Sequence, residues 1–366
     1  MSLTAGIVGL PNVGKSTLFN AITKAGVEAA NYPFATIDPN VGVVEVPDRR
    51  LQAISSVIPP QKIIPTTFEF TDIAGIVKGA SKGEGLGNKF LSNIREVDAI
   101  CHVVRCFDDE NITHVDGRVD PIEDIETINL ELILADLESI DKRITRVEKL
   151  ARLKDKEAVM ELNILTRLKD ALEHNQMANS VEFNKEEEPI VRGLFLLTRK
   201  PMLYVANIGE EDVANSTDNP YLSQVQALAE SQGAQVVPVC ASLEEEIAVL
   251  DDEEKALFLE EYDMEESGLD KLIQAAYSLL GLGTYFTAGE KEVRAWTFKK
   301  GMKAPQAAGV IHTDFERGFI RAETVSYDDL MASGSMAKAK ENGLYRSEGK
   351  EYVVQDGDIM LFRFNV

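Results

Sequence analysis

The stretch Gly9-Leu-Pro-Asn-Val-Gly-Lys-Ser16 constrains this chain more than any other part of its sequence. It follows an apolar run at residues 5–8 and leads into an amphipathic segment at residues 17–25. This order of strand, glycine loop and helix is the one that a phosphate-binding P-loop requires. A chance glycine-rich turn is the alternative, but all four fixed positions of the motif are present.

The P-loop predicts specific roles for its residues. Its glycines let backbone N–H groups turn inward around phosphate oxygens, and the following helix adds the positive end of its dipole. Lys15 is expected to reach the β- and γ-phosphates and to act in catalysis, and Ser16 to ligate Mg²⁺. The predicted phosphate-binding residues are Asn12, Val13, Gly14, Lys15, Ser16 and Thr17. The sequence therefore predicts a nucleoside triphosphate as the ligand and Mg²⁺ as the metal.

Composition excludes several classes of protein. With 366 residues the chain is long enough for two or three domains, and 44% hydrophobic residues is typical of a globular protein. A net charge of −23 argues against a protein that coats nucleic acid non-specifically. The three cysteines have no CxxC spacing, so we expect reduced thiols.

The same sequence indicates where the protein works. The P-loop begins at Gly9 and leaves no room for a signal peptide, and no apolar run reaches the ~18 residues of a membrane span. We therefore expect a cytoplasmic protein that makes no membrane contact and does not bind DNA sequence-specifically.

Two later segments resemble nucleotide-dependent switches. The loop at residues 31–40 contains Thr36, which would close on Mg²⁺ and the γ-phosphate; an ordinary surface threonine is the alternative. A predicted strand at residues 67–71 ends in Asp72-Ile-Ala-Gly75. Asp72 would hold Mg²⁺ through water, and the N–H of Gly75 would approach the γ-phosphate. The glycine-rich residues 79–87 would form the second switch; a passive loop is the alternative.

A helical insertion interrupts the strands of the predicted nucleotide-binding domain. After a buried strand at residues 99–104, apolar residues recur at helical spacing through residues 129–153 and again through 159–172. We expect an antiparallel helical hairpin. Seven basic residues lie between positions 142 and 156, and a solvated helix face is the alternative to a binding role for them.

Two strand ends occupy the places where a GTPase reads its base. The predicted strands at residues 201–206 and 236–239 precede Asn207, Glu210 and Ala241, which are the predicted nucleoside-binding residues. A GTPase has Asn-Lys-x-Asp at the first strand end, but here Ile208 and Glu210 replace the lysine and aspartate. The longer glutamate cannot place its carboxylate where guanine needs it, so ATP is predicted over GTP.

The C-terminal part of the chain has a different character. From Thr284 onward strands dominate, with one short helix near residues 305–311, which predicts a small β-grasp-like α+β domain. The expected domains are a nucleotide-binding domain (1–128 and 200–283), a helical insertion (129–199) and this C-terminal domain (284–366). A basic face on the last domain would be formed by Lys299, Lys300, Lys303, Arg317 and Arg321.

Four segments together resemble the YchF family, the Obg-like ATPases: the P-loop, Asp72-Ile-Ala-Gly75, Asn207-x-x-Glu210 and the terminal Asp356-Gly-Asp-x-x-x-Phe-Arg-Phe-Asn-Val366. The resemblance covers essentially the whole chain. It implies an α/β fold: a Ras-like P-loop domain, a coiled-coil insertion and a C-terminal TGS domain. It also implies Mg²⁺-dependent ATP hydrolysis and association with the ribosome, either the large subunit or the 70S particle.

The resemblance further implies a role for His114. Small GTPases carry a water-orienting glutamine where this chain has Ile76, which cannot form such a hydrogen bond. His114, in the loop after the buried strand, would assist hydrolysis instead; an uninvolved surface histidine is the alternative. A binding module whose hydrolysis is incidental, a conventional GTPase and a small-molecule kinase are the competing functions. The kinase is the weakest, because no acceptor-substrate domain is evident.

Overall fold

The computed structural model describes residues 3–26, 40–74, 86–113 and 117–365. Contacts divide the chain into two compact units. The first unit comprises Met1–Gly42 and Glu69–Leu272, and the second comprises Val43–Phe68 and Ile273–Val366.

The strands of the described part are, in chain order, β1 (Thr4–Val8), β2 (Val41–Glu45), β3 (Lys62–Ile64), β4 (Thr67–Asp72), β5 (Ala99–Cys106), β6 (Met202–Ile208), β7 (Gln235–Val239), β8 (Leu282–Ala288), β9 (Glu292–Lys299), β10 (Phe319–Ser326), β11 (Arg346–Glu348) and β12 (Asp358–Phe364). The α-helices of the same residues are α1 (Lys15–Ala25), α2 (Arg49–Val57), α3 (Leu86–Glu96), α4 (Pro121–Arg152), α5 (Lys156–Glu173), α6 (Glu188–Arg192), α7 (Pro220–Gln232), α8 (Ala241–Ile247), α9 (Asp252–Glu261), α10 (Gly268–Leu279), α11 (Ala304–Ile311), α12 (Thr313–Arg317), α13 (Tyr327–Ser333) and α14 (Met336–Glu341).

The first sheet has the strand order β2-β4-β1-β5-β6-β7. Strand β1 pairs in parallel with β4 and β5, and β5, β6 and β7 continue the parallel arrangement. Every residue of β5 is buried, which is the pattern expected of a strand covered on both faces. Because parallel strands end at the same edge, the carboxyl ends of β1, β4, β5, β6 and β7 lie together there.

Helices α4 and α5 form the predicted hairpin. Ile140, Val147, Leu165 and Leu168 are buried between them, and the ion pair between Arg143 and Glu161 crosses the hairpin at 2.6 Å. Helix α4 begins at Pro121, eight residues earlier than the apolar spacing indicated. The Asp120 side chain accepts a hydrogen bond from the Glu123 N–H, and proline suits the first helical position, so a capping signal was present in the sequence.

The second unit contains a mixed sheet with the order β11-β10-β12-β8-β9-β3. Neighbouring residues of β8 point to opposite faces, so Tyr285 packs with Ala304, Ala307 and Ala308 of α11 on one side. On the other side Phe286 packs with α2 and α13. The predicted fold class, an α/β P-loop domain with a helical insertion and a C-terminal α+β domain, is confirmed.

The membership of residues 43–68 differs from the sequence-based division, which placed them in the nucleotide-binding domain. Strand β3 pairs in parallel with β9, with Lys62 opposite Glu292 and Ile64 opposite Arg294. In α2, the buried Ile54 belongs to the same apolar cluster as Phe286. These partners are more than 200 positions away in the chain, and no local pattern indicates such a pairing.

Cys101, Cys106 and Cys240 are buried and form no disulfide. Burial raises the pKa of the Cys101 and Cys106 thiols to about 12, so both are protonated at neutral pH. In the part of the chain that the structure describes, no helix combines the length and the apolar character needed to cross a bilayer.

His102 on β5 is a buried histidine without hydrogen-bond partners among the described residues. Its ring lies 5.6 Å from the ring of Tyr204, measured between centroids. Burial lowers the pKa of the imidazole to about 3, because a charged ring would lose its hydration. The folded protein therefore keeps this side chain neutral over most of the acid range.

The His102 environment predicts an acid-sensitive stability. The unfolded chain binds a proton at His102 near pH 6.5, whereas the folded protein does not. The free energy of unfolding is therefore undiminished above that pH and decreases as the pH falls toward 3. At pH 5 the loss is about 2 kcal/mol. Substitution His102→Leu should remove this part of the pH dependence in urea unfolding. The control His174→Leu, at the exposed histidine that directly follows α5, should not. Parallel pH profiles for wild type and His102→Leu would contradict the assignment.

Candidate nucleotide-binding site

The P-loop joins β1 to α1 through two residues with left-handed backbone. Asn12 has φ +63° and Gly14 has φ +92°. Helix α1 begins at Lys15 without a side-chain cap, and its first helical hydrogen bond runs from the Leu18 N–H to the Gly14 carbonyl at 2.9 Å. The N–H groups of its first turn therefore have no capping side chain. Such a helix start is suited to an anion.

Asn207, the last residue but one of β6, bridges the P-loop and α8. Its Nδ2 donates to the Val13 carbonyl at 2.9 Å, and its Oδ1 accepts from the Ala241 N–H at 3.0 Å. The side chain is buried, but one amide hydrogen and one oxygen lone pair remain for a ligand. A Cβ added at Gly14 would lie 2.0 Å from Asn207 Nδ2, so only glycine permits this approach.

Lys15 and Asp72 form an ion pair at the phosphate end of the site. Lys15 lies in the first turn of α1, and Asp72 is the last residue of β4. The pairing keeps both side chains at the edge of the sheet where the P-loop lies. A cation predicted to contact phosphate and a carboxylate predicted to hold Mg²⁺ are therefore adjacent.

The donor set fits Mg²⁺ when it is bound together with a nucleotide. The described residues contain no cluster of three or more His, Cys, Asp or Glu side chains that could hold a metal by themselves. Mg²⁺ keeps several waters and is commonly held by one or two protein groups together with substrate phosphates. Ser16 at the start of α1 and Asp72 at the end of β4 are protein groups of this kind.

The opposite end of the site is formed by the segments after β6 and β7. Glu210 Oε1 accepts a hydrogen bond from Ser242 Oγ at 3.2 Å. Ile208 is buried at the end of β6, where it packs in the core beneath this surface. Ser242 was not among the predicted site residues, although it directly follows Ala241.

The segment after β5 forms a further wall of the site, and its residues 107–112 were not among the predicted site residues. Within this segment Phe107, Asp108, Asp109 and Ile112 line the same cavity. Asn12 Nδ2 of the P-loop donates to the carbonyl of Thr113 at 3.0 Å. The strand order brings this segment to the site, because β5 lies beside β1 and parallel strands end at one edge of the sheet.

These segments enclose a cavity of about 820 Å³. The predicted site residues that line it are Asn12, Gly14, Lys15, Ser16, Thr17, Asn207, Glu210 and Ala241. Val13 and Asp72 do not line it, but Val13 contacts Asn207 and Asp72 contacts Lys15. Three predicted residues, Thr36, Gly75 and His114, lie outside the described residues, as does Ile76.

The contact between Gly14 and Asn207 predicts the effect of a single methyl group. Gly14→Ala should destabilise the protein and weaken nucleotide binding, because the new Cβ would displace the Asn207 amide. The control is Gly233→Ala, at φ +65° with open space around it. That control has only the left-handed backbone penalty, about 1–2 kcal/mol. Urea unfolding and nucleotide titration measure both effects, and equal losses for the two variants would exclude the proposed clash.

Comparisons with known proteins agree with this architecture. The family model YchF-GTPase_C, described as a protein of unknown function, matches residues 282–365. The model described as a 50S ribosome-binding GTPase matches residues 4–164. A Bacillus subtilis protein named ribosome-binding ATPase YchF is 69% identical, with 100% of both chains covered. Its namesakes from Haemophilus ducreyi and Escherichia coli O157:H7 are 59% and 56% identical, again over 100% of both chains.

Solved structures extend the comparison to the fold. The structure described as the Schizosaccharomyces pombe YchF GTPase is 41% identical and has a TM-score of 0.89, covering 99% of this chain and 98% of that one. A GTP-binding protein from Pyrococcus horikoshii OT3, 20% identical with a TM-score of 0.61 and full coverage of both chains, shares the fold. Because the sequence identity to these relatives extends over the full length of the chain, this chain belongs to the YchF family.

Proposed function

We propose that this protein is a Mg²⁺-dependent ATPase that hydrolyses ATP slowly, in preference to GTP, and acts as a nucleotide-controlled switch on the ribosome. The observation that carries the proposal is a single cavity with two ends. At one end is the start of α1, which has no capping side chain and suits phosphate. At the other end, the segments after β6 and β7 lack the lysine and aspartate that read guanine in a GTPase. The names of the relatives, ribosome-binding ATPase, support the same activity.

The phosphate end would bind and orient the triphosphate. The N–H groups of residues 14–17 and the Lys15 ammonium would hold the β- and γ-phosphates, exchanging the ion pair with Asp72 for contacts to the nucleotide. Mg²⁺, when bound, would neutralise charge that develops on the transferring phosphoryl group. Ser16 and Asp72 would hold it, with Thr36 as a further ligand and the Gly75 N–H on the γ-phosphate.

Hydrolysis would proceed by in-line attack of water on the γ-phosphorus. The new bond to the water oxygen forms as the bond to the β–γ bridging oxygen breaks, and ADP and inorganic phosphate are released. Ile76 has no group that could orient the water. We propose His114 for this role, since the segment that leads to it, residues 107–113, runs along the cavity and its last carbonyl binds Asn12.

The base end favours adenine over guanine. Guanine presents two donors, N1–H and the 2-amino group, and needs a carboxylate placed to accept both. Glu210 is instead held by Ser242 at the start of α8, and Ile208 supplies no lysine stem to pack on the base. Adenine presents an acceptor at N1 and a donor at the 6-amino group, which the free lone pair of Asn207 and main-chain groups can satisfy.

Competition titration tests the choice of base. With labelled ATP in the site, unlabelled ATP should displace it at lower concentration than GTP. Glu210→Asp alone should not reverse the order, because Ile208 also departs from the guanine-binding pattern. Tighter binding of GTP by the wild type would favour the competing GTPase function. The fission-yeast relative is described as a GTPase.

Lys15 provides the matching test of the phosphate end. Lys15→Ala should reduce ATP affinity by at least about tenfold, since a charge-assisted contact contributes roughly 1.5–3 kcal/mol. The control Lys24→Ala removes a lysine from the last turn of the same helix, where its partner is Glu245. Isothermal titration should show near wild-type binding for the control. Equal ATP affinity of Lys15→Ala and wild type would contradict the assignment.

The ribosome would be contacted through basic side chains that form no ion pair with the part of the chain that the structure describes. In the helical hairpin, Lys142, Arg143 and Arg152 pair with carboxylates. The other basic residues between positions 142 and 156 form no ion pair within the described residues; they are Arg146, Lys149, Lys154 and Lys156. These four lie toward the turn between α4 and α5, and we propose that they contact ribosomal RNA.

The C-terminal domain would add a second, smaller contact. Of its predicted basic face, Lys303 pairs with Glu351 and Arg321 pairs with Glu323. This leaves Lys299, Lys300 and Arg317 without an ion pair in the described part of the chain. We propose residues 284–366 as the TGS-like domain, residues 129–199 as the helical insertion, and residues 1–128 and 200–283 as the nucleotide-binding domain. Within the last of these, residues 43–68 pack with the C-terminal sheet.

Two sets of basic residues on the helical hairpin allow the proposed ribosome contact to be tested. Replacement of Lys149, Lys154 and Lys156 by glutamine should weaken co-sedimentation with ribosomes and lower the slope of log affinity against log salt by about 2. Replacement of the paired Lys142, Arg143 and Arg152 by glutamine changes the net charge equally. That control should have a smaller effect. If both sets weaken binding equally, general charge and not direct contact is responsible.

A further inference from the structure

Arg105 is a fully buried cation on β5, only 1% exposed. Its guanidinium donates three hydrogen bonds to main-chain carbonyls of the segment that follows the strand. Nε donates to the Phe107 carbonyl at 3.1 Å, Nη1 to that of Ile112 at 2.8 Å, and Nη2 to that of Asp109 at 3.2 Å. One side chain therefore fixes three points of a six-residue segment without regular secondary structure.

The same guanidinium also fixes a side chain in the cavity wall. Its central carbon lies 4.6 Å from the centre of the Phe107 ring, a cation–π contact. Phe107, Asp109 and Ile112 all line the nucleotide cavity. Arg105 thus shapes the cavity wall from behind and is not itself among the lining residues.

Other contacts hold the segment at its edges. Asn219 Nδ2 donates to the Cys106 carbonyl at 2.8 Å, and the Tyr221 hydroxyl donates to the Asp108 carboxylate at 3.0 Å. At the far end, the Thr113 carbonyl accepts from Asn12 of the P-loop. The segment is therefore tied to the rest of the first unit up to the residue that directly precedes His114.

We propose that Arg105 is a positioning residue for ATP hydrolysis: it holds residues 107–113 as a fixed wall of the nucleotide site. It thereby fixes the chain up to the residue before His114, which is proposed above to orient the water. The inference rests on the proposed function, because it depends on ATP hydrolysis and on the role of His114. Arg105 itself takes no part in the chemistry. A planar guanidinium suits the task because its donors diverge in a fixed fork toward several acceptors. The ammonium of a lysine cannot reach three carbonyls spread over six residues.

The test uses two variants and a matched control in the full-length protein. Arg105→Lys keeps the charge, and Arg105→Met keeps the bulk without a buried charge, so that one variant remains if the other fails to fold. Arg118→Lys is the control; it is the same change at an exposed arginine shortly after the segment. Thermal unfolding and ADP titration establish that each variant is folded.

The expected result is a split between binding and turnover. Because the P-loop contacts remain, ADP affinity should change no more than about threefold, while a displaced catalytic group should lower kcat by about tenfold or more. The control should keep wild-type kcat. Unchanged kcat in the folded Arg105 variants would overturn the proposal.

A double-mutant comparison tests whether the effect runs through His114. Adding Arg105→Lys or Arg105→Met to His114→Ala should slow hydrolysis little further, since the group being positioned is already gone. Multiplying effects would overturn the proposal, because Arg105 would then act independently of His114. His114→Ala alone with wild-type turnover would instead reject the role of His114 in the proposed function, whatever the Arg105 variants do.

Discussion

The nucleotide cavity depends on two hydrogen bonds made by the side-chain amide of Asn207. With one hydrogen bond the amide holds the Val13 carbonyl of the P-loop, and with the other it holds the Ala241 N–H at the start of α8. Three strand ends and two helix starts are thereby brought to one point. Gly14 permits the approach because it has no Cβ, so the glycine provides space as well as a left-handed backbone.

Arg105 has a related role on the neighbouring strand. Arg105 and Asn207 are direct partners in the register of β5 and β6. Both are buried polar side chains, and each uses its hydrogen bonds on main-chain groups of adjoining loops and turns. Burial of a cation is unfavourable unless its donors are satisfied. Displacement of the loop would remove the carbonyls to which Arg105 donates and leave a buried charge without hydrogen bonds. The cost of that loss favours the observed loop conformation.

The second unit shows a different dependence on long-range contacts. Its sheet is covered by α11 on one face and by α2 and α13 on the other, and α2 comes from the N-terminal third of the chain. Strand β3 extends the same sheet through its pairing with β9. The apolar residues of α2 would remain in water without this sheet, so the hydrophobic effect accounts for its position.

The sequence by itself determined the features whose residues are contiguous: the P-loop, the buried strands before Asp72 and Asn207, the helical hairpin and the strand-rich C-terminal region. It also showed that Ile208 and Glu210 stand where a GTPase has the lysine and aspartate that read guanine. Only the tertiary structure decided which distant groups meet, such as Asn12 with Thr113, or β3 with β9. The physical reason is that periodicity reports which face of an element is buried, whereas a hydrogen bond across 101 positions depends on how the strands are ordered in the sheet.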